Sequence, residues 1–324
     1  MIRTDTILDA LKAAPGKSVS GAALAKELGV SRAAVWKHMA ALKRRGYRIV
    51  TIPFQGYRLA ACPDLMLSGD IKAGLKTRCF GKEVYSFQET SSTSDAASAL
   101  ARGGALEGTV VVADKQDQGR GRMGRSWESA PGVGIWMSII LRPHIPPMNA
   151  PQVTITSAVA VAELLRQETA LEPAIEWPND IVIQGRKVCG ILTEMVAEQD
   201  RVEFVILGIG LNVNHAEKDF SPQVRNVATS LYLEDGKRRD RTVLVQRLLE
   251  RLETVYDMLE AGKFNEIATQ WSAHSCTLGR RVQCSFDGKP VQGTAESLAL
   301  DGALLVRDDT GELYRVTCGD VLCI

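Results

Sequence analysis

Residues 119–127 read Gly119-Arg120-Gly121-Arg122-Met123-Gly124-Arg125-Ser126-Trp127, three glycines and three arginines in nine positions. Glycine lets backbone amides approach an anion closely, and arginine adds a permanently charged planar fork, so the stretch suits a loop closing over a polyanion. Gly119, Gly121 and Gly124 satisfy G-x-G-x-x-G, and residues 119–126 satisfy the phosphate-loop spacing with Arg125 in the lysine position. Either signature requires a strand running straight into the loop and a helix leaving it. Here the strand-like run 109–113 stops six residues short of Gly119, and Glu-Ser-Ala-Pro-Gly-Val-Gly after Trp127 cannot open a helix. A strand-like run at 135–141 follows. The context therefore predicts strand, mobile basic loop, strand, and argues against both nucleotide folds. The plainer alternative is an RNA-binding or merely solvated arginine cluster.

Outward from the loop, periodicity predicts an α/β (α+β) body. Strands are expected at 84–88, 109–113, 135–141, 174–177, 181–184, 188–196 and 202–212, with a hairpin turn at Gly185-Arg186. Helices are expected at 95–102, 152–170, 241–260 and 264–272; the second has Ala and Val on nearly every face, which predicts burial against the sheet. From residue 277 the pattern shortens to alternating strands punctuated by Asp287-Gly288, Asp301-Gly302 and Thr310-Gly311, the signature of a small barrel.

The first sixty residues carry eleven Lys/Arg against Asp5, Asp9 and Glu27, a balance of +8 hidden in a chain of net charge +1. A basic arm on an acidic body points to nucleic acid at one end. Helices are expected at 4–13, with Ile7, Leu8 and Leu11 inward, at 21–28 behind Ser20, and at 32–45 behind Ser31. Val35, Met39 and Leu42 fall on the core face of the third helix. Ser31, Arg32, Ala33, Trp36 and Lys37 fall elsewhere on its N-terminal half, the part of a recognition helix that meets DNA. Strands at 47–51 and 56–59 complete a winged helix-turn-helix, and 60–66 reads as a linker. A winged helix used for protein contacts is the alternative. The domains expected are 1–60, 67–273 and 277–324.

With 324 residues and 45% hydrophobic content, the chain can build two or three domains, and no apolar run approaches the length of a membrane span. Its opening is no signal peptide, so a cytoplasmic location without membrane association is expected. Seven cysteines without a C-x-x-C pair fit reduced thiols. Cys189 reads as a small buried residue. His38, His144, His215 and His274 show no metal-ligand spacing.

The arginine loop, Ser92-Thr93, Trp177-Pro178-Asn179-Asp180 and Lys187-Val188-Cys189-Gly190-Ile191-Leu192 together resemble the biotin-protein ligase family, whose loop reads G-R-G-R-x-G-R-x-W. The resemblance covers nearly the whole chain, including the helix-turn-helix of members that double as biotin operon repressors. It implies a mixed-sheet catalytic domain like that of class II aminoacyl-tRNA synthetases and an SH3-like barrel at the C-terminus. It also implies the substrates biotin and ATP, with Mg2+, a biotin carboxyl carrier protein as acceptor, operator DNA, and a homodimer formed when the adenylate is bound.

Joining a carboxylic acid to a lysine through an adenylate brings two anions together, so the site must neutralise both. By the resemblance, Arg122 contacts the biotin carboxylate, Lys187 bridges that carboxylate and the α-phosphate, and Asp180 deprotonates the acceptor lysine or supports magnesium. Ser92, Thr93, Gln116 and the backbone of Arg120 match the family's contacts to the biotin ureido group, Gly119 matches a further biotin contact, and apolar walls are expected from residues 132–137 and the apolar strand after them. Arg120, Arg122, Arg125, Trp127, Asn179, Lys187 and Asn212 match the ATP and adenylate contacts. Spacing alone leaves Lys187 as a solvated charge beside a hairpin, Ser92 as a helix cap, Trp127 as a core anchor, and Asn179-Asp180 as an Asx turn. Two positions depart from the family: Glu176 stands where Lys or Arg is usual, and Ser94 where Asn is common. The competing readings are a lipoate or octanoate ligase, which would lack the three-arginine loop, and a ligand-sensing transcription factor without catalysis.

Overall fold

The computed structural model describes residues 4–44, 46–61, 64–286, 289–317, 319 and 321–324. The chain forms two compact units, Met1–Asp64 and Leu65–Ile324.

In the first unit, α1 (Thr4–Lys12), α2 (Gly21–Glu27) and α3 (Arg32–Arg44) precede a hairpin of β1 (Arg48–Ile52) and β2 (Gly56–Ala61). Ser20 and Ser31 accept the Ala23 and Ala34 amides, as N-caps do. Ile7, Leu8, Leu11, Val35, Met39 and Leu42 form the core, as the helical period demands. The expected end of α3 at Arg45 lies outside the described residues, as do Cys62 and Pro63 of the expected linker.

The second unit holds a seven-stranded mixed sheet. Its elements in chain order are α4 (Ser68–Gly74), β3 (Val84–Thr90), α5 (Thr93–Arg102), β4 (Val110–Gln116), β5 (Gly134–Leu141), α6 (Pro151–Glu168), β6 (Ala174–Glu176), β7 (Asp180–Ile183), β8 (Arg186–Ala197), β9 (Val202–Asn212), α7 (Leu231–Asp235), α8 (Arg241–Glu260) and α9 (Phe264–His274). Strand order is β3-β4-β5-β9-β8-β7-β6, parallel at β3/β4 and antiparallel at every other pairing. Odd-numbered residues of β5 and β9 join α6, α8 and α9 in the main core, and even-numbered residues such as Ile140 and Ile206 meet Ala97 and Ala101 of α5 on the opposite face. Helix α6 is buried along most of its length, as its composition demands.

Most boundaries shift by a residue or two from expectation, and three of the shifts bear on the site. Strand β4 runs on to Gln116, because Lys115 and Gln116 keep parallel pairing with Glu89 and Thr90; the strand ends three residues nearer the arginine loop. Helix α5 opens at Thr93, two residues early, because Ser92 is its cap and accepts the Asp95 amide. The β7/β8 turn is Gln184-Gly185, both at positive φ, with Ile183 paired to Arg186. Arg186 therefore opens β8, since a type I′ two-residue hairpin needs left-handed residues at both central positions and Gln184-Gly185 supplies them. The short helices α4 and α7 carry too few apolar positions for a period to register.

The chain ends in β10 (Arg281–Phe286), β11 (Lys289–Leu298), β12 (Leu304–Arg307), β13 (Leu313–Val316) and β14 (Leu322–Cys323), an antiparallel sheet ordered β13-β12-β11-β10-β14. The turn at Asp301-Gly302 joins β11 to β12, Thr310-Gly311 joins β12 to β13, and the one expected at Asp287-Gly288 lies outside the described residues. Thr277 Oγ1 accepts the Trp177 amide and Gly302 O accepts the Trp177 indole N–H, which ties this sheet to the entry of β7.

Candidate active site

Cross-strand register builds the floor of the site. Glu176 pairs with Asp180, Asp180 with Gly190, Gly190 with Gly210, and Gly210 with Trp136, one row across five strands. Residues paired in this way present side chains on one face, so two carboxylates lie beside two positions without side chains. The vacancy is filled by Trp127: a Cβ at Gly190 would stand 2.7 Å from its ring, and one at Gly210 2.5 Å. In the next row, Leu192 pairs with Gly208 and Gly208 with Ser138.

Over this floor lies a cavity of about 280 Å³, walled by Ser92, Thr93, Ser94 and Gln116 at one end, by Glu176, Asn179, Asp180 and Lys187 at the other, and by Arg120, Arg122, Arg125 and Trp127 above. The basic loop is folded down. Trp127 N–H donates to Gly119 O at 2.8 Å, Gly121 N–H to Arg125 O at 2.7 Å and Arg125 N–H to Arg122 O at 3.1 Å. Arg120 clasps Asp95 of α5 and Glu194 of β8. Arg122 donates to Asn179 Oδ1 at 3.0 Å and to Gly319 O at 3.2 Å, linking the loop to the entry of β7 and to the segment between β13 and β14. Asn179 in turn donates to Ile191 O at 2.8 Å.

Lys187 Nζ lies 2.6 Å from Asp180 Oδ2 and 5.3 Å from the centroid of the Trp127 ring. Its backbone is held from outside the hairpin, donating to Val227 O and accepting from Thr229 N–H, both at 2.8 Å. Sequence spacing left this lysine as a candidate solvated charge; the register across a bulged hairpin turns it inward. Burial, with Asp180 nearby, pushes the Glu176 carboxyl above its ordinary range, while Lys187 pulls it down. Cys189 is fully buried and burial drives its thiol far up, consistent with an inert residue rather than a nucleophile.

Most expected residues converge here: Ser92, Thr93, Gln116, Arg120, Arg122, Arg125, Trp127, Asn179, Asp180 and Lys187 all line the one cavity. Gly119 and Asn212 do not. Gly119 is packed beneath the loop, where a Cβ would meet Trp127 O at 2.4 Å, and Asn212 is buried with its amide donating to Thr229 O. Of the walls expected from 132–137 and the apolar strand after them, only Met137 lines the cavity; Ile191, Leu192 and Ile209 supply the rest, with Val321 and Leu322 from the C-terminal sheet. Sequence reasoning overlooked Ser138 and the Gly208-Ile209-Gly210 alternation. Glycine at every second position of an apolar strand strips one face of side chains, and that signal was readable.

In the first unit, Ser31, Arg32, Ala33, Trp36 and Lys37 are all exposed, Trp36 by 63%. Among the described residues no group of three or more His, Cys, Asp or Glu gathers as a metal cage, and no helix is long and apolar enough to cross a membrane.

Comparison with known proteins covers the same segments. Residues 86–212 match the biotin/lipoate A/B protein ligase family, residues 3–58 an HTH domain and residues 277–322 the biotin protein ligase C terminal domain. The chain is 39% identical to the bifunctional ligase/repressor BirA of Bacillus subtilis (strain 168) over 315 residues, 97% of each chain. It is 29% identical to BirA of Escherichia coli (strain K12) over 297 residues, 91% of this chain and 90% of that one. A biotin protein ligase from Aquifex aeolicus, solved in complex with biotin and ATP, superposes with a TM-score of 0.64 at 28% identity, covering 74% of this chain and 98% of that one.

Proposed function

The chain belongs to the biotin-protein ligase family, in the branch that carries an N-terminal HTH domain, and from that premise we propose how its site works. It is a biotin-protein ligase and repressor: it uses ATP to activate biotin, passes the biotinyl group to a lysine of a biotin carboxyl carrier protein, and binds operator DNA. The observation that carries the assignment of roles is the basic loop closed over Lys187 and Asp180, with Arg122 spanning the cavity to Asn179.

In the first step a biotin carboxylate oxygen bonds to the α-phosphorus of ATP, the bond from that phosphorus to the bridging oxygen of the β-phosphate breaks, and pyrophosphate leaves. Arg122 and Lys187 neutralise the two anions that must meet, and Arg125 adds positive charge at the rim. Arg120, spent on Asp95 and Glu194, anchors the loop and contributes to biotin through its backbone. Asn179 orients Arg122, and Trp127 offers ring area to the adenine. Asn212 acts from behind the cavity, and Gly119 by letting the loop pack. In the second step the acceptor amine attacks the acyl carbon, AMP departs, and Asp180, already beside an ammonium, takes the proton released. Glu176 and Asp180, paired across β6 and β7, supply two hard oxygen donors. Such a pair suits Mg2+ carried in on phosphates rather than an all-protein cage, and the ion would add charge neutralisation at the phosphates.

The domains we propose are 1–60, 67–273 and 277–324, with a core like that of class II synthetases and an SH3-like terminal barrel. We further propose a cytoplasmic enzyme whose loop is mobile when empty, orders on the adenylate, and so favours a homodimer that sets two helix-turn-helix units on two half-sites. Arg32, Lys37, Trp36, Ser31 and Ala33 form the DNA face. Biotin-dependent exchange of labelled pyrophosphate into ATP tests the chemistry: biotin should support it and lipoate should not, and the reverse would overturn the reading. Deleting residues 1–60 should abolish salt-sensitive operator binding; undiminished binding would refute the DNA role.

A further inference from the structure

At the closed end of the cavity, donor counting fixes the direction of a hydrogen-bond chain. The Thr93 backbone N–H, which can only donate, lies 2.8 Å from Gln116 Oε1, and the Thr93 hydroxyl lies 3.0 Å from the same oxygen. A carbonyl oxygen only accepts, so the hydroxyl donates too and its single proton is spent. Ser138 Oγ, 2.8 Å from Thr93 Oγ1, must then donate to it. With the Ser138 proton spent in turn, Ser94 Oγ at 3.1 Å donates to Ser138. Beyond the amide, Gln116 Nε2 donates to Ser129 Oγ at 2.9 Å, and Ser129 Oγ to Trp127 O at 3.4 Å. The protons therefore run one way, from Ser94 towards the loop.

Ser138 is fully buried behind the lining residues, on β5 opposite Gly208. The missing side chain at 208 leaves room for this arrangement, because a Cβ there would stand 3.1 Å from Ser94 Oγ and crowd it.

We propose that Ser138 is a positioning residue that sets the donor and acceptor polarity of this end of the cavity. With its proton committed to Thr93, Ser94 turns its own proton inward and presents lone pairs to the cavity, while Gln116 presents the second N–H of its amide. One acceptor and one donor side by side at this end complement a cyclic urea, which offers N–H groups beside a carbonyl, and reject an acid whose distal ring has no N–H. A site built to hydrogen-bond a ligand discriminates strongly against an analogue that leaves its buried polar groups unmatched. This inference rests on the biotin reading and deepens it.

Without the Ser138 hydroxyl the Ser94 proton has no inward acceptor and turns into the cavity, where it opposes a ligand N–H. In pyrophosphate exchange by the full chain, Ser138→Ala should raise KM for biotin about tenfold and leave kcat and KM for ATP within about twofold. Ser138→Cys, a weaker donor of similar shape, should fall between. Calorimetry with biotin and its two mono-N-methyl ureido isomers reads the polarity directly: wild-type protein should reject the isomer methylated beside Ser94, and Ser94→Ala should shrink that rejection about tenfold. Folded Ser138→Ala with an unchanged KM for biotin would overturn the proposal. Should Ser138→Ala fail to fold, Ser94→Ala decides, and unaltered discrimination between the isomers refutes it. Wild-type protein that exchanges with lipoate and not biotin would overturn the functional reading itself.

Discussion

Gly210→Ala isolates the contribution of the glycine floor. A Cβ at this position would stand 2.5 Å from Trp127 Cε2, 2.6 Å from Nε1 and 2.8 Å from Cζ2. Carbon atoms in contact prefer about 3.5 to 4.0 Å, so the indole must lift by about 1 Å. Its Nε1 has no hydrogen-bond partner among the described residues, and no bond to them at that atom resists the shift. The displacement passes through the Trp127 N–H to Gly119 O bond into the loop that carries Arg122. Gly210 sits in extended strand backbone, where alanine is favoured over glycine by about 0.5 to 1 kcal/mol, so the melting temperature should change little. Catalysis should suffer more, because misplacing a reacting group by about 1 Å costs on the order of 100-fold. The assay is biotin-dependent pyrophosphate exchange for Gly210→Ala, Trp127→Ala and the double variant. The cost of the alanine should largely vanish once the ring is gone, a coupling expected only between residues in contact. Exchange within about twofold of wild type, or a cost that persists in the Trp127→Ala background, would refute the argument.

Other perturbations follow from the same geometry. Lys187→Ala removes the ammonium held 2.6 Å from Asp180 and should lower adenylate formation at least about 100-fold in single-turnover measurements; preserved formation would remove Lys187 from the mechanism. Glu253→Ala deprives the Arg78, Cys79 and Phe80 amides of the carboxylate they share and should cost about 3 kcal/mol in urea unfolding, whereas a loss below about 1 kcal/mol would show that these amides find other partners. Burial first, with Arg241 adding to it, pushes the His215 imidazole down to about 4, against opposing pulls from Asp219 and Glu128. The unfolded chain then binds the extra proton, so this contribution to stability is complete above about pH 6.5 and is lost as pH falls towards 4. His215→Phe, keeping the stack on Phe220, should flatten the fall in melting temperature across that window, and an unchanged slope would exclude His215 as its source.

Much of this protein is legible as local chemistry. The core faces of α1 and α3, the Ser20 and Ser31 caps, the buried composition of α6 and the strand, loop, strand reading around residues 119–127 all depend on residues a few positions apart. Periodicity and capping act at that range, so the sequence alone determined them. The same holds for the charge imbalance of the first sixty residues, and for the arginines whose motif carried the family resemblance.

What the sequence left open was decided by pairing between distant segments. Whether Lys187 is a solvated charge or faces Asp180 depends on a bulged hairpin and on the backbone of Val227 and Thr229. Trp127 was ambiguous between core anchor and ligand contact; its place is set by Gly190 and Gly210, more than sixty residues away along the chain. The direction of the hydroxyl chain from Ser94 through Ser138 to Gln116 joins a helix to two strands, and only once they are packed does donor counting yield one answer. The physical reason is common to all three. A side chain's type is written locally, but its neighbours in a sheet are chosen by register, and a slip of one residue in β5, β8 or β9 would turn Ser138, Lys187 or the Gly190 and Gly210 positions to the opposite face.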